Sequence, residues 1–100
     1  MGSRKKISEF DFHPHLQARM RERGVTKEEI ERVMLEGKEV ADAKPGTFGK
    51  VRVFPYKSTW ENKFFEEKEV TVYYKTARDE IILLTVKAKY GKFSSGGKKA

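Results

Sequence analysis

The sequence predicts an α+β domain in which two N-terminal helices pack on one face of a mostly antiparallel, twisted sheet of about four strands. An apolar stripe at helical spacing fills the first third. From Lys38 onward the pattern changes to two-residue alternation, with turn-forming residues between the alternating segments.

Pro14 suits the first turn of a helix, where a missing N–H costs nothing, and Gly24 suits the left-handed residue that ends one, so the first helix spans Pro14 to Arg23. Thr26-Lys27-Glu28-Glu29 then has the form of a capping box. Thr26 would accept from the Glu29 N–H while Glu29 reaches back, and Val25 is placed to staple onto Ile30. Ile30, Val33 and Met34 fall at the spacing of a buried stripe and Gly37 supplies the stop, which gives a second helix from Lys27 to Glu36.

A short strand is expected around Glu39 to Asp42, then a turn at Lys44-Pro45-Gly46, then a strand from Phe48 to Tyr56 with Val51 and Val53 on its buried face. Pro55 forfeits a ladder hydrogen bond and marks an edge, a bulge or the strand's end. Lys57 to Lys63 reads as a hairpin loop, with Trp60, Phe64 and Phe65 as a satellite apolar cluster beneath it. Val70, Val72 and Tyr74 alternate with Thr71, Tyr73 and Lys75 in a half-buried strand, and Thr76 to Glu80 is the next turn. Ile81-Ile82-Leu83-Leu84 is apolar on both faces, which predicts a central strand that continues through Val86 to Lys89, with Leu84 and Val86 under the helices.

One hundred residues form one domain, and a chain of that length buries roughly 60–70% of its unfolded surface. The 37% of apolar residues is enough for a core. Lys and Arg outnumber Asp and Glu by 22 to 15, for a net charge of +7, and this field favours a polyanion such as RNA or an acidic protein. Part of the excess sits in the tails, at Arg4-Lys5-Lys6 and Lys98-Lys99. Without cysteine there is no disulfide or thiolate metal site. No apolar run reaches the roughly 20 residues of a membrane span, so the expected location is the cytoplasm. No phosphate loop, dinucleotide fingerprint or zinc spacing is present, and His13 and His15 lack the carboxylates that would make a metal site. No cofactor is expected.

Two constellations carry chemistry. At 100° per residue, His15, Arg19 and Arg23 fall within an arc of about 80°, beside the seam of Leu16 and Met20. Such a stripe suits a phosphate, arginine giving bidentate contacts and histidine exchanging a proton; a plain solvated helix face has the same spacing. The second is the far face of the sheet. If Val51 and Val53 are buried, then Arg52, Phe54, Thr71, Tyr73, Lys75, Thr85 and Lys87 share the other side, where basic and aromatic residues interleave as single-stranded RNA requires. Ordinary cross-strand pairing accounts for the aromatics equally well.

The run His15-Leu16-Gln17-Ala18-Arg19-Met20-Arg21-Glu22-Arg23-Gly24-Val25 resembles the His-Ala-x-x-Arg-Met-x-Glu-Arg-Gly-Ile opening of a small bacterial family catalogued as a domain of unknown function. Leu16 stands where that motif has Ala. Phe54-Pro55-Tyr56, Tyr73-Tyr74, Thr85-Val86 and Tyr90-Gly91 are similar to the family's second half, so the resemblance runs from about His13 to Phe93. The family is grouped with RelE-like and colicin-type metal-independent ribonuclease toxins. The resemblance implies a RelE-like domain over 13–93, while the small and basic residues at the two ends read as a flexible basic segment at 1–12 and a flexible tail at 94–100. It also implies RNA as substrate and an acidic antitoxin or immunity protein as a further partner.

On this reading His15 serves as general base or acid, Arg19 and Arg23 stabilise the charge on the phosphate, and Tyr73, Lys87 or Tyr90 complete the site. Arg52, Phe54, Lys75, Lys89 and Lys92 are the expected RNA contacts. The alternative is an RNA-binding or protein-binding module without catalysis.

Overall fold

A computed structural model describes residues 12–93. The segments at 1–11 and 94–100, expected to be flexible, lie outside the described residues. Phe12, assigned above to the N-terminal segment, is instead buried in the core.

Helix α1 (Pro14–Arg23) and helix α2 (Lys27–Glu36) have the bounds their caps dictate. Both halves of the capping box form: Glu29 N–H donates to Thr26 Oγ1 at 3.1 Å, and Thr26 N–H donates to Glu29 Oε1 at 3.0 Å. Gly24 ends α1 at φ 74°, and a Cβ there would also strike the Trp60 ring.

Four strands follow as a meander, β1 (Lys38–Glu39), β2 (Phe48–Trp60), β3 (Lys63–Ala77) and β4 (Glu80–Gly91), each antiparallel to the next and ordered β1-β2-β3-β4. The expected loop at Lys57–Lys63 is largely strand. β2 runs on to Trp60 past an irregularity between Pro55 and Ser58, and it turns only at Glu61-Asn62. The second turn is likewise confined to Arg78-Asp79. All four turn residues have positive φ, as type I′ hairpins require, although none is glycine. β1 is shorter than expected, and β4 is an edge strand rather than a central one.

The helices cover one face. Leu16, Met20, Val25, Ile30, Val33 and Met34 pack there on Val70, Val72, Tyr74, Leu83 and Val86. Two face assignments are corrected. Cross-strand partners share a face, and Arg52 pairs with Val70 while Val51 pairs with Thr71, so Arg52 and Phe54 lie under the helices and Val51 and Val53 on the open side. Lys50 and Arg52 tolerate that side because their stems lie along the core while their heads reach the end of α2. Lys50 Nζ donates to the Met34 carbonyl at 3.0 Å, and Arg52 pairs with Glu36 at 3.1 Å. In β4 a register shift opposite Tyr73–Tyr74 makes Leu84 the extra residue, so Leu83 rather than Leu84 joins Val86 in the core.

Candidate nucleic-acid interface

α1 lies along β4. His13 caps its start, with Nδ1 accepting from the Leu16 N–H at 3.2 Å and Nε2 set 3.1 Å from the Leu83 carbonyl, so the geometry assigns the proton to Nε2. At the other end the Tyr90 hydroxyl donates to the Arg23 carbonyl. The two clamps make α1 parallel to β4. The flank of α1 turned toward α2 carries Gln17 and Arg21, which line a surface pocket with Val25, Thr26 and Lys27. At 100° per residue, His15, Arg19 and Arg23 therefore occupy the opposite flank, toward the free edge of β4. His15 and Arg23 are exposed and Arg19 is half-buried, paired with Glu22 at 3.2 Å. The ring of His15 lies nearly parallel to that of His13, 6.2 Å away.

Lys87 and Lys89 project from β4 on the other face, opposite Thr71 and Glu69 of β3. Thus α1 and the open face bring two sets of cations to the same edge strand from its two sides. Lys75 sits further along β3, and exposed Lys92 follows β4.

The centre of the open face is Tyr73. Lys87 Nζ stands 5.2 Å from its ring centroid, and its hydroxyl donates to the Asp42 carboxylate at 3.2 Å. Gly49 pairs with Tyr73 across the ladder, and a Cβ there would meet the ring at 3.0 Å. The connection after β1 folds over this face as a lip. Its Pro45-Gly46 turn, with Gly46 at φ 86°, is closed by the Thr47 N–H donating to the Lys44 carbonyl at 2.9 Å. A cavity of about 330 Å³ opens on one side of Tyr73, bordered by Val40, Val51, Glu69 and Thr71, and another of about 380 Å³ on the other, bordered by Lys44, Thr47, Leu84 and Thr85.

Three residues assigned to RNA or catalysis lie elsewhere. Arg52 and Phe54 face the helices, with the guanidinium 5.4 Å from the Phe54 ring. Tyr90 is on the covered face among Tyr56, Trp60 and Phe65, stacked on Trp60 at 4.9 Å, and burial pushes its phenol well above the ordinary value. Its hydroxyl holds α1 in place. Sequence reasoning missed Asp42 and Leu84. A carboxylate beside a turn reads as loop chemistry, and Leu84 reads as core until the bulge is known.

Comparison with protein-family models, characterised proteins and solved structures finds no match to this chain. No described helix is long and apolar enough to cross a membrane.

Proposed function

We propose that the protein is a metal-independent endoribonuclease of the RelE-like type that holds single-stranded RNA along the free edge of β4. The observation that carries this reading is the docking of α1 on β4. It turns His15, Arg19 and Arg23 toward the edge strand whose opposite face bears Lys87 and Lys89. Cations on both sides of an edge suit a phosphate chain laid along it.

In the reaction, the His15 imidazole takes the proton from a ribose 2′-OH as that oxygen bonds to the adjacent phosphorus. The bond from phosphorus to the 5′-oxygen breaks, that oxygen takes a proton from water, and the His15 imidazolium returns its proton to solvent. The products are a 2′,3′-cyclic phosphate and a 5′-hydroxyl. Arg19 and Arg23 stabilise the added charge on the non-bridging oxygens. DNA lacks the nucleophile and is spared.

End-labelled RNA incubated with purified protein and a chelator tests this. Cutting of RNA but not DNA is expected, with affinity that falls steeply as salt rises. His15→Ala is expected to slow cutting by roughly 10²–10⁴, and Arg19→Ala to lose both rate and affinity. Full activity of folded His15→Ala excludes that histidine. Salt-dependent binding without cleavage leaves a binding module, a reading favoured by the Arg19–Glu22 pair, which occupies part of one guanidinium. No binding at low salt removes both readings.

A further inference from the structure

The cavity between Tyr73 and the bulge of β4 has features that binding along an edge does not need. A bulge disrupts ladder pairing, and here it turns an apolar side chain, Leu84, out of the core and onto the open face. Leu84 and the Tyr73 ring form two walls, and Thr47 and Thr85 contribute hydroxyls. Asp42 stands at the rim on the lip. Its two oxygens lie 3.2 and 3.3 Å from the Tyr73 hydroxyl, and a carboxylate with about four lone-pair sites accepts further donors. Lys44 and Lys87 line the same cavity. At about 380 Å³ it falls within the usual range of small-molecule sites, roughly 300–1,000 Å³.

The geometry points to a nucleobase subsite that selects guanine. An unstacked base lies against Tyr73 and Leu84, Asp42 accepts from its pairing edge, and the two lysines meet the attached phosphate. Guanine is the base that offers two adjacent N–H donors, N1–H and the N2 amino group, to a carboxylate with two oxygens. Adenine and cytosine present one amino group beside an acceptor that the carboxylate repels, and uracil presents one N–H between two carbonyls. The inference rests on the RNA reading above for its biological ligand, but the cavity can be tested without cleavage.

The experiment is an NMR titration of the full chain with GMP, AMP, CMP and UMP in turn, repeated with Asp42→Asn and Leu84→Ala after amide spectra confirm that both fold. GMP is expected to shift the Leu84 methyls and the Thr47 and Thr85 amides, and to bind at least about tenfold tighter than the other three. Asp42→Asn replaces one acceptor with a donor and is expected to abolish the preference. Leu84→Ala is expected to weaken GMP while keeping it preferred. Absence of shifts in the cavity with any nucleotide overturns the subsite, as does an unchanged preference in Asp42→Asn. RNA cutting with no nucleotide in the cavity sinks the subsite alone, whereas GMP selectivity without RNA binding or cutting sinks the ribonuclease reading alone.

Discussion

The two faces of the sheet carry the same three groups, a lysine, a tyrosine and a carboxylate, in opposite circumstances. On the covered face Lys68 is only 3% exposed, and its ammonium donates to both oxygens of Glu29, at 2.8 and 3.1 Å, and to the Gly24 carbonyl. The rings of Tyr56 and Tyr90 flank it at 5.5 and 5.7 Å. On the open face Lys87 is exposed beside Tyr73, whose hydroxyl leans on Asp42. Burial decides the use of each set. A desolvated lysine must keep all its donors satisfied and so becomes a rivet between the helix junction and the sheet, whereas solvated groups remain free to exchange partners.

The largest effect that sharpens this contrast is expected from Lys68→Ala, which removes one partner of a buried pair and should destabilise the domain by about 3–5 kcal/mol in urea unfolding. A change near the surface value, about 1 kcal/mol or less, would make the two faces equivalent and break the comparison. Thr26→Ala comes next, at about 1 kcal/mol. Thr26 Oγ1 accepts from the N–H of Glu29, the residue whose carboxylate binds Lys68, so both changes act on the placement of Glu29 and the double mutant with Lys68→Ala is expected to be less than additive.

Tyr90→Phe removes the hydrogen bond to the Arg23 carbonyl and is expected to cost about 1 kcal/mol at neutral pH. It also has a pH signature. Burial, then the nearby Tyr56, Glu29 and Glu61, raises the Tyr90 phenol above its ordinary value of 10.0. Unfolded chains then release a proton before folded ones do, so this contribution is complete below pH 10 and is lost as pH rises beyond it. Tyr74 is shifted in the same direction, mainly by burial, so the alkaline loss of stability should shrink in Tyr90→Phe without vanishing. An identical alkaline profile would place Tyr90 in solvent. The smallest change is expected from Tyr73→Phe, within about 0.5 kcal/mol of wild type in unfolding because its hydroxyl is on the open side.

The helices were legible in the sequence because their signals are local: Pro14, Gly24 and the Thr26–Glu29 box act within a single turn. The faces of β2 were not, because Val51 and Val53 compete with Phe48 and Phe54 of the opposite parity, and long cations on that parity hide their apolar stems. Phe48, Lys50, Arg52 and Phe54 together were the available clue. The hairpin ends were blurred by turns built from Glu61-Asn62 and Arg78-Asp79, where glycine would have marked them. The His15, Arg19 and Arg23 stripe was readable from spacing alone. Its orientation toward the β4 edge was not, since it depends on clamps between residues about 70 apart in sequence.

Those clamps also bear on the order of folding. In a meander every strand pairs with its neighbour in sequence, so β2, β3 and β4 can zip through short loops, while α1 reaches β4 only by closing a loop from His13 to Leu83, a separation of 70 residues. Contacts of such long reach form late when local hairpins are available. His13→Ala is therefore expected to accelerate unfolding far more than it slows folding in a denaturant chevron, so the clasp sets the lifetime of the native state rather than the speed of reaching it.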